Sequence, residues 1–294
     1  MKPIKPPTTY NVQLRKIRNR GCLIDDANFA RRVLRRVNYY RFSAYFIPFL
    51  DENNPDKYVS GTNFRQVYAI YEFDRKLRNI VFSTIEEIEL SLRSHIAYFF
   101  SHKYGSLGYM DANNFSSLHD AEKFERKLQS NIQRNAGKPF VQHHINEYDG
   151  QFPLWSIIEL FTCGELSKFY SDMKTEDKKS FVATFCKFHY SNFESWLLCL
   201  TDLRNNCAHY SRLYYSLFPA VPRSPQEYNG TLRRDVYSYV MVLNFLQRNR
   251  RSWNNSFMPD LKSLIEEYNE YITLPAIGFP DNWEASLRKE YMNK

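Results

Sequence analysis

Residues 63–102, NFRQVYAIYEFDRKLRNIVFSTIEEIELSLRSHIAYFFSH, decide the fold. Val67, Tyr71, Leu77, Val81, Ile85, Ile88, Leu92, Ile96 and Phe99 keep near-helical spacing along almost the whole stretch. That period marks one buried face of a helix. The length leaves two forms open, one extended helix or two joined at a bend. The far side carries Glu86, Glu89 and Arg93, with Glu89 four residues before Arg93 as a favourable pair. This side reads as a solvated, salt-bridged face.

The rest of the chain repeats the helical pattern. Nine glycines in 294 residues fall well below the usual ~7%, and no hairpin dipeptide separates two alternating runs, so an all-α fold is expected. Upstream, PPTTYNVQLRKIRNRG predicts a helix capped near Thr9 and closed by Gly21, and DDANFARRVLRR a second one starting from Asp25 and Asp26. NYYRFSAYFIPFL runs to Pro48, and the polar loop DENNPDKYVSGT suggests a soft boundary. An N-terminal basic helical module over 1–60 and a helical domain over 61–294 are expected, with the two packed as one compact unit as the alternative. Downstream, 103–150 reads as polar and irregular around one helix, and the adjacent His143 and His144 as an exposed surface pair. PLWSIIELFTCGELSKFY predicts one largely buried helix, Trp155 included, with Pro153 at its opening turn. RRDVYSYVMVLNFLQRN and LKSLIEEYNEY predict two more, and the tail LPAIGFPDNW is expected to pack by Phe279 and Trp283.

Forty Lys and Arg against 32 Asp and Glu give a net charge of +8, which favours polyanionic partners. The charge is concentrated: Arg15, Lys16, Arg18, Arg20, Arg31, Arg32, Arg35, Arg36 and Arg41 face only Asp25 and Asp26 within 15–41. Such a run suits an RNA backbone, each arginine adding salt-sensitive affinity. Tyr39 and Tyr40 beside it have two readings, core packing or rings that stack on bases. The five cysteines show no CxxC pair, so they read as small core residues of a cytoplasmic protein and no zinc site is expected. MKPIKPPTTY has no apolar signal core, and no apolar run approaches the ~20 residues of a membrane span. A soluble chain without membrane contact is expected.

GxxxxGK[ST], GxGxxG, HExxH and GxSxG are all missing, which argues against a nucleotide triphosphatase, a dinucleotide enzyme and a zinc hydrolase. What remains is DLRNNCAHYSRLYY, residues 202–215. It continues a stripe of Phe193, Trp196, Leu197, Leu200, Leu203 and Cys207, the last read as a packing residue. With Leu200 at zero and about 100° per residue, Arg204 falls near 40° and His209 near 180°. One straight helix would therefore point Arg204 inward and His209 outward. Either the helix ends or bends between Asn206 and His209, or the stripe ends at a subunit interface where Arg204 emerges into a shared cleft. These residue types suit RNA cleavage without a metal. An imidazole can take the ribose 2′-hydroxyl proton or protonate the leaving oxygen. A guanidinium stabilises charge building on the phosphate, and an amide fixes the imidazole tautomer or holds the phosphate.

RNNCAH fits the Arg-x4-6-His motif of HEPN domains, with the polar residue after the arginine present as Asn205. LRNNCAHYSRLYY resembles the Abi-like abortive infection family (AbiD/AbiF type). PPTTYNVQLRKIRNRGCLIDD, VNYYRFSAYFIPF, YEFDRKLRNIVFSTIEEIELSLRSHIAY, PLWSIIELFTCGELSKFY and IGFPDNW match in the same order over nearly the whole chain. The resemblance implies a HEPN-type helical bundle, often a homodimer with a composite ribonuclease site, acting in phage defence with no cofactor. It also implies RNA as the partner, as substrate and in some relatives as a bound non-coding RNA. Carried over by residue, Arg204 and His209 would be catalytic and Asn205 their helper. Asn206, Arg212, Tyr215, Glu89 and Arg93 are placed as accessories near the site. The helix from Phe193 to Cys207 is expected at or just beneath a two-fold interface. A non-catalytic RNA-binding protein is the alternative.

Overall fold

The computed structural model describes Ile4 and residues 6–291, so the extreme ends of the two expected modules lie outside the described residues. Among the described residues there are helices and isolated bridges but no sheet, and the fold is all-α.

The chain begins with α1 (Tyr10–Asn19), α2 (Ala27–Arg36) and α3 (Tyr39–Ser43), which leads into a short 3-10 turn at Ala44–Phe49. Their starts follow from capping. The Thr9 hydroxyl accepts from the Val12 N–H, and the Asp26 carboxylate accepts from the N–H groups of Asn28 and Phe29, satisfying donors that a first turn leaves unpaired. Gly21 takes a φ of +98° just past α1, a conformation that costs glycine little. α1 packs on α2, and Leu14, Ile17, Ala30, Val33 and Leu34 join the core.

The decisive stretch forms a single helix, α4 (Phe64–Tyr104), capped by the Asn63 side chain and stopped by Gly105 at φ +82°. Its 41 residues span about 60 Å, and α7, α8, α10, α11 and α13 pack along it. The other elements are α5 (Ala121–Arg134), α6 (Pro139–Glu147), α7 (Leu154–Ile157), α8 (Cys163–Asp172), α9 (Thr175–Phe185), α10 (Tyr190–Ala208), α11 (Val236–Leu246), α12 (Arg250–Ser252), α13 (Met258–Glu267) and α14 (Trp283–Arg288). Every residue of α11 is buried. One core cluster extends from Leu14 to Tyr291, taking in both Phe279 and Trp283 from the tail.

Four local expectations are corrected. Residues 103–150 hold two helices rather than one, because Pro139 opens α6 at a position where its missing N–H costs nothing. Of the pair there, His143 is exposed, but His144 is half-buried with its ring 4.9 Å from that of Phe152. Residues 153–170 form two helices, because a reciprocal capping box between Thr162 and Glu165 starts α8 afresh after Phe161 turns extended. Trp155, on the first of them, is 57% exposed instead of buried.

Candidate functional site

α10 ends where the Arg/His motif sits. Ala208 is its last residue, His209 is the C-cap with its N–H bonded to the Asn205 carbonyl, and Tyr210 takes a left-handed φ of +57°. Of the two forms left open by the sequence, the helix ends between Asn206 and His209. Phe193, Trp196, Leu197, Leu200, Leu203 and Cys207 are all buried on the inner side.

Arg204 is neither sealed nor free. Its side chain is 32% exposed, and its Nε lies 3.6 Å from Oε2 of Glu89 on α4, beyond hydrogen-bond range and without another acceptor among the described residues. The same carboxylate is gripped through its other oxygen by Arg93, which also donates to the Ile158 carbonyl at 2.6 Å. Glu89 and Arg93 are therefore not part of a solvated face. Both side chains are nearly buried, at 13% and 10% exposure, because α7 and the turn after it cover that side of α4. Thr201 donates to the Cys163 thiol at the edge of this group, and burial pushes that thiol up to about 11, with Glu89 adding to the rise and Thr201, Arg204 and Arg93 opposing it.

His209 and Asn205 are exposed, and neither side chain makes a hydrogen bond among the described residues. Nor does any hydrogen bond or ion pair join Arg204 to His209 there. Within one chain the motif's arginine faces α4 and its histidine faces solvent. Asn206 folds back, donating to the Asp202 carbonyl at 2.8 Å. Arg212 donates to the Ala44 carbonyl. Tyr215 is exposed at φ +58°, with its ring edge-on to Tyr214.

The segment after His209 is held by residues far away in sequence. Arg41 donates to the Tyr210 carbonyl, so α3 lies against the motif's turn. Tyr40 beside it is 87% exposed, against the core reading, whereas Tyr39 is half-buried and packs on the core. Arg15, Lys16, Arg18, Arg32, Arg35 and Arg36 are exposed on α1 and α2, while Arg31 is half-buried and donates to the Ala27 carbonyl.

Sequence reading missed Asp74, Arg78 and Tyr45. Asp74 is wholly buried on α4. Its Oδ1 accepts the N–H groups of Leu213 and Tyr214 at 3.0 and 2.8 Å, and its Oδ2 accepts the Tyr45 hydroxyl at 2.5 Å and the Arg78 guanidinium. Arg78 also donates to the Ser211 carbonyl at 3.1 Å. Burial pushes the Asp74 carboxyl upward, and Arg78, Tyr45 and the two backbone donors pull against it. A signal was present: with Val81 at zero, Asp74 falls about 20° away, in the middle of the apolar stripe and in its gap between Tyr71 and Leu77.

Taken together, these features define an all-helical protein with an Arg/His motif at a helix end, braced from a long central helix and from the N-terminal helices. A family model described as Abi-like protein matches residues 32–215, well over half of the chain, so the chain belongs to that family. No curated protein and no solved structure matches it. No helix among the described residues is long and apolar enough to cross a membrane.

Proposed function

We propose that this chain is a HEPN-type endoribonuclease of abortive infection, cutting RNA by attack of a ribose 2′-hydroxyl to leave a 2′,3′-cyclic phosphate. Family membership supports a role in phage defence. The observation that supports the chemistry is His209: a solvent-facing imidazole without a side-chain hydrogen bond among the described residues, five residues after an arginine whose Nε lacks one there too. In this reading His209 moves the proton of the 2′-hydroxyl or of the leaving oxygen, Arg204 stabilises charge on the phosphate, and Asn205 orients one or the other.

In this reading the site is composite, which the different directions of Arg204 and His209 in one chain support. Two copies pair so that Arg204 of one and His209 of the other serve one phosphate, and the exposed apolar residues Leu90, Tyr98 and Leu198 on α4 and α10 support such a face. Exposed arginines on α1 and α2 draw in the RNA. They equally favour the second reading, a protein that holds a structured RNA without cutting it.

Labelled RNA incubated with the purified protein in EDTA separates the two. Cleavage that leaves cyclic phosphate ends and disappears in His209→Ala and Arg204→Ala is expected, with a dimer by light scattering at micromolar protein. RNA that is bound but stays intact, with infected-cell extract supplied, favours the holding protein. An active monomer sinks the composite site.

A further inference from the structure

We infer that Asp74 is a positioning residue for His209, acting through the backbone of the turn that follows the motif. Among the described residues the imidazole makes no side-chain hydrogen bond, ion pair or ring contact to fix it, so its direction is inherited from the main chain. That chain leaves helical geometry at Tyr210 and runs to Tyr215 without regular structure, both of these residues at positive φ. A non-glycine residue at positive φ persists only where its surroundings over-determine it. Side chains of the N-terminal segment and α4 supply that constraint here.

Tyr210 is held at its carbonyl by Arg41, Ser211 at its carbonyl by Arg78, and Leu213 and Tyr214 at their N–H groups by one oxygen of Asp74. Leu213 and Tyr214 are 0% and 1% exposed, so water cannot replace the carboxylate as their acceptor. The other Asp74 oxygen takes the Tyr45 hydroxyl and Arg78, which fixes the rotation of the carboxylate. Arg78 in turn reaches Ser211, two residues from His209. Asp74 touches no substrate in this arrangement. It sets where the turn begins and ends, and with it the face His209 presents.

The activity arm of the test rests on the ribonuclease reading, and the spectroscopic arm does not. Full-length, isotope-labelled Asp74→Asn keeps the side-chain shape but turns one acceptor into a donor facing Arg78. Expected are exchange of the Leu213 and Tyr214 amides faster by about tenfold or more, and a displaced or broadened His209 ring resonance, assigned by its loss in His209→Ala. The fall expected in kcat is about tenfold or more, with KM changed less than about threefold, as for a group that is in place but misaimed. An Asp74→Asn spectrum in which His209 coincides with wild type, while only the melting temperature drops, overturns the proposal. If that variant does not fold, Tyr45→Phe removes one bond to the same carboxylate and leaves both backbone bonds. A smaller shift of the His209 resonance supports the inference, and an unmoved one overturns it. A wild-type protein that never cuts RNA sinks the ribonuclease reading alone, since the His209 resonance still decides this one.

Discussion

Two acid–arginine pairs stand about 22 Å apart on α4, built from the same four-residue spacing and put to different uses. Asp74–Arg78 is closed: each carboxylate oxygen has two donors, two backbone N–H groups on one and the Tyr45 hydroxyl with the Arg78 guanidinium on the other. Glu89–Arg93 is open at one end, where Arg204 stands 3.6 Å from the spare oxygen without completing a hydrogen bond. The first pair holds main chain in a fixed course. The second leaves one cation partly unsatisfied at the position where the proposed chemistry needs a guanidinium free to turn toward a phosphate. Spacing on a helix thus creates the pair, and what the neighbouring element offers decides whether it becomes a brace or a reserve of charge.

The sharpest way to break this contrast is to remove each acid in turn. Asp74→Ala strands a buried guanidinium and two buried N–H groups, and is expected to cost about 3–5 kcal/mol in urea unfolding. Replacing both partners, as Asp74→Leu with Arg78→Met, is expected to cost less than Asp74→Ala alone, because no unpaired charge then remains. A double variant as unstable as the sum of the singles would mean that the pair is not a unit.

Glu89→Ala is expected to cost less, about 1–3 kcal/mol, since Arg93 keeps the Ile158 carbonyl and Arg204 already reaches solvent. The order of the two losses is the prediction. If Glu89→Ala proves the more damaging, the second pair is the closed one and Arg204 is a structural residue.

How much of this was legible in the sequence differs between the two pairs. The first helices with their caps and the course of α4 were, because Thr9, Asp26 and the apolar spacing of α4 act locally. The end of α10 was available as one of two alternatives, from the conflict between Arg204 and His209 on one helical wheel. Glu89 and Arg93 were noticed as a pair and placed in solvent, because period alone cannot say that α7 lies across them. Asp74 was passed over for the opposite reason: it sat inside the stripe, where a polar residue looks like an interruption. Only the fold brings Leu213 and Tyr214, some 140 residues along the chain, to its carboxylate. The split of residues 153–170 was readable in Thr162 and Glu165, three apart.

The N-terminal arginines test whether charge there belongs to either pair. Arg35→Ala with Arg36→Ala alters exposed residues of α2 and is expected to change stability by less than about 0.5 kcal/mol. RNA affinity should fall across sequences, and the dependence of log K on log salt should flatten by about 0.7 per lost single-strand contact. A stability loss comparable to that of Glu89→Ala would show that these side chains brace the turn as Arg41 does.

The smallest expected effect uses a cysteine beside each pair as a local probe. Cys207 lies next to Asp74 and Arg78, and burial pushes its thiol up to about 12; Cys163 lies next to Glu89 and Arg204, at about 11. Both are free and buried, and the thiolate is the form that alkylates. At pH 8 the folded protein should therefore label far more slowly than the unfolded chain at both positions. The reaction proceeds through local opening, so its rate reports how often each region opens. If the Asp74 region is the closed one, Cys163 labels first, and Asp74→Asn speeds Cys207 while leaving Cys163 unchanged. Labelling of Cys207 ahead of Cys163 in the wild type would reverse the assignment of brace and reserve.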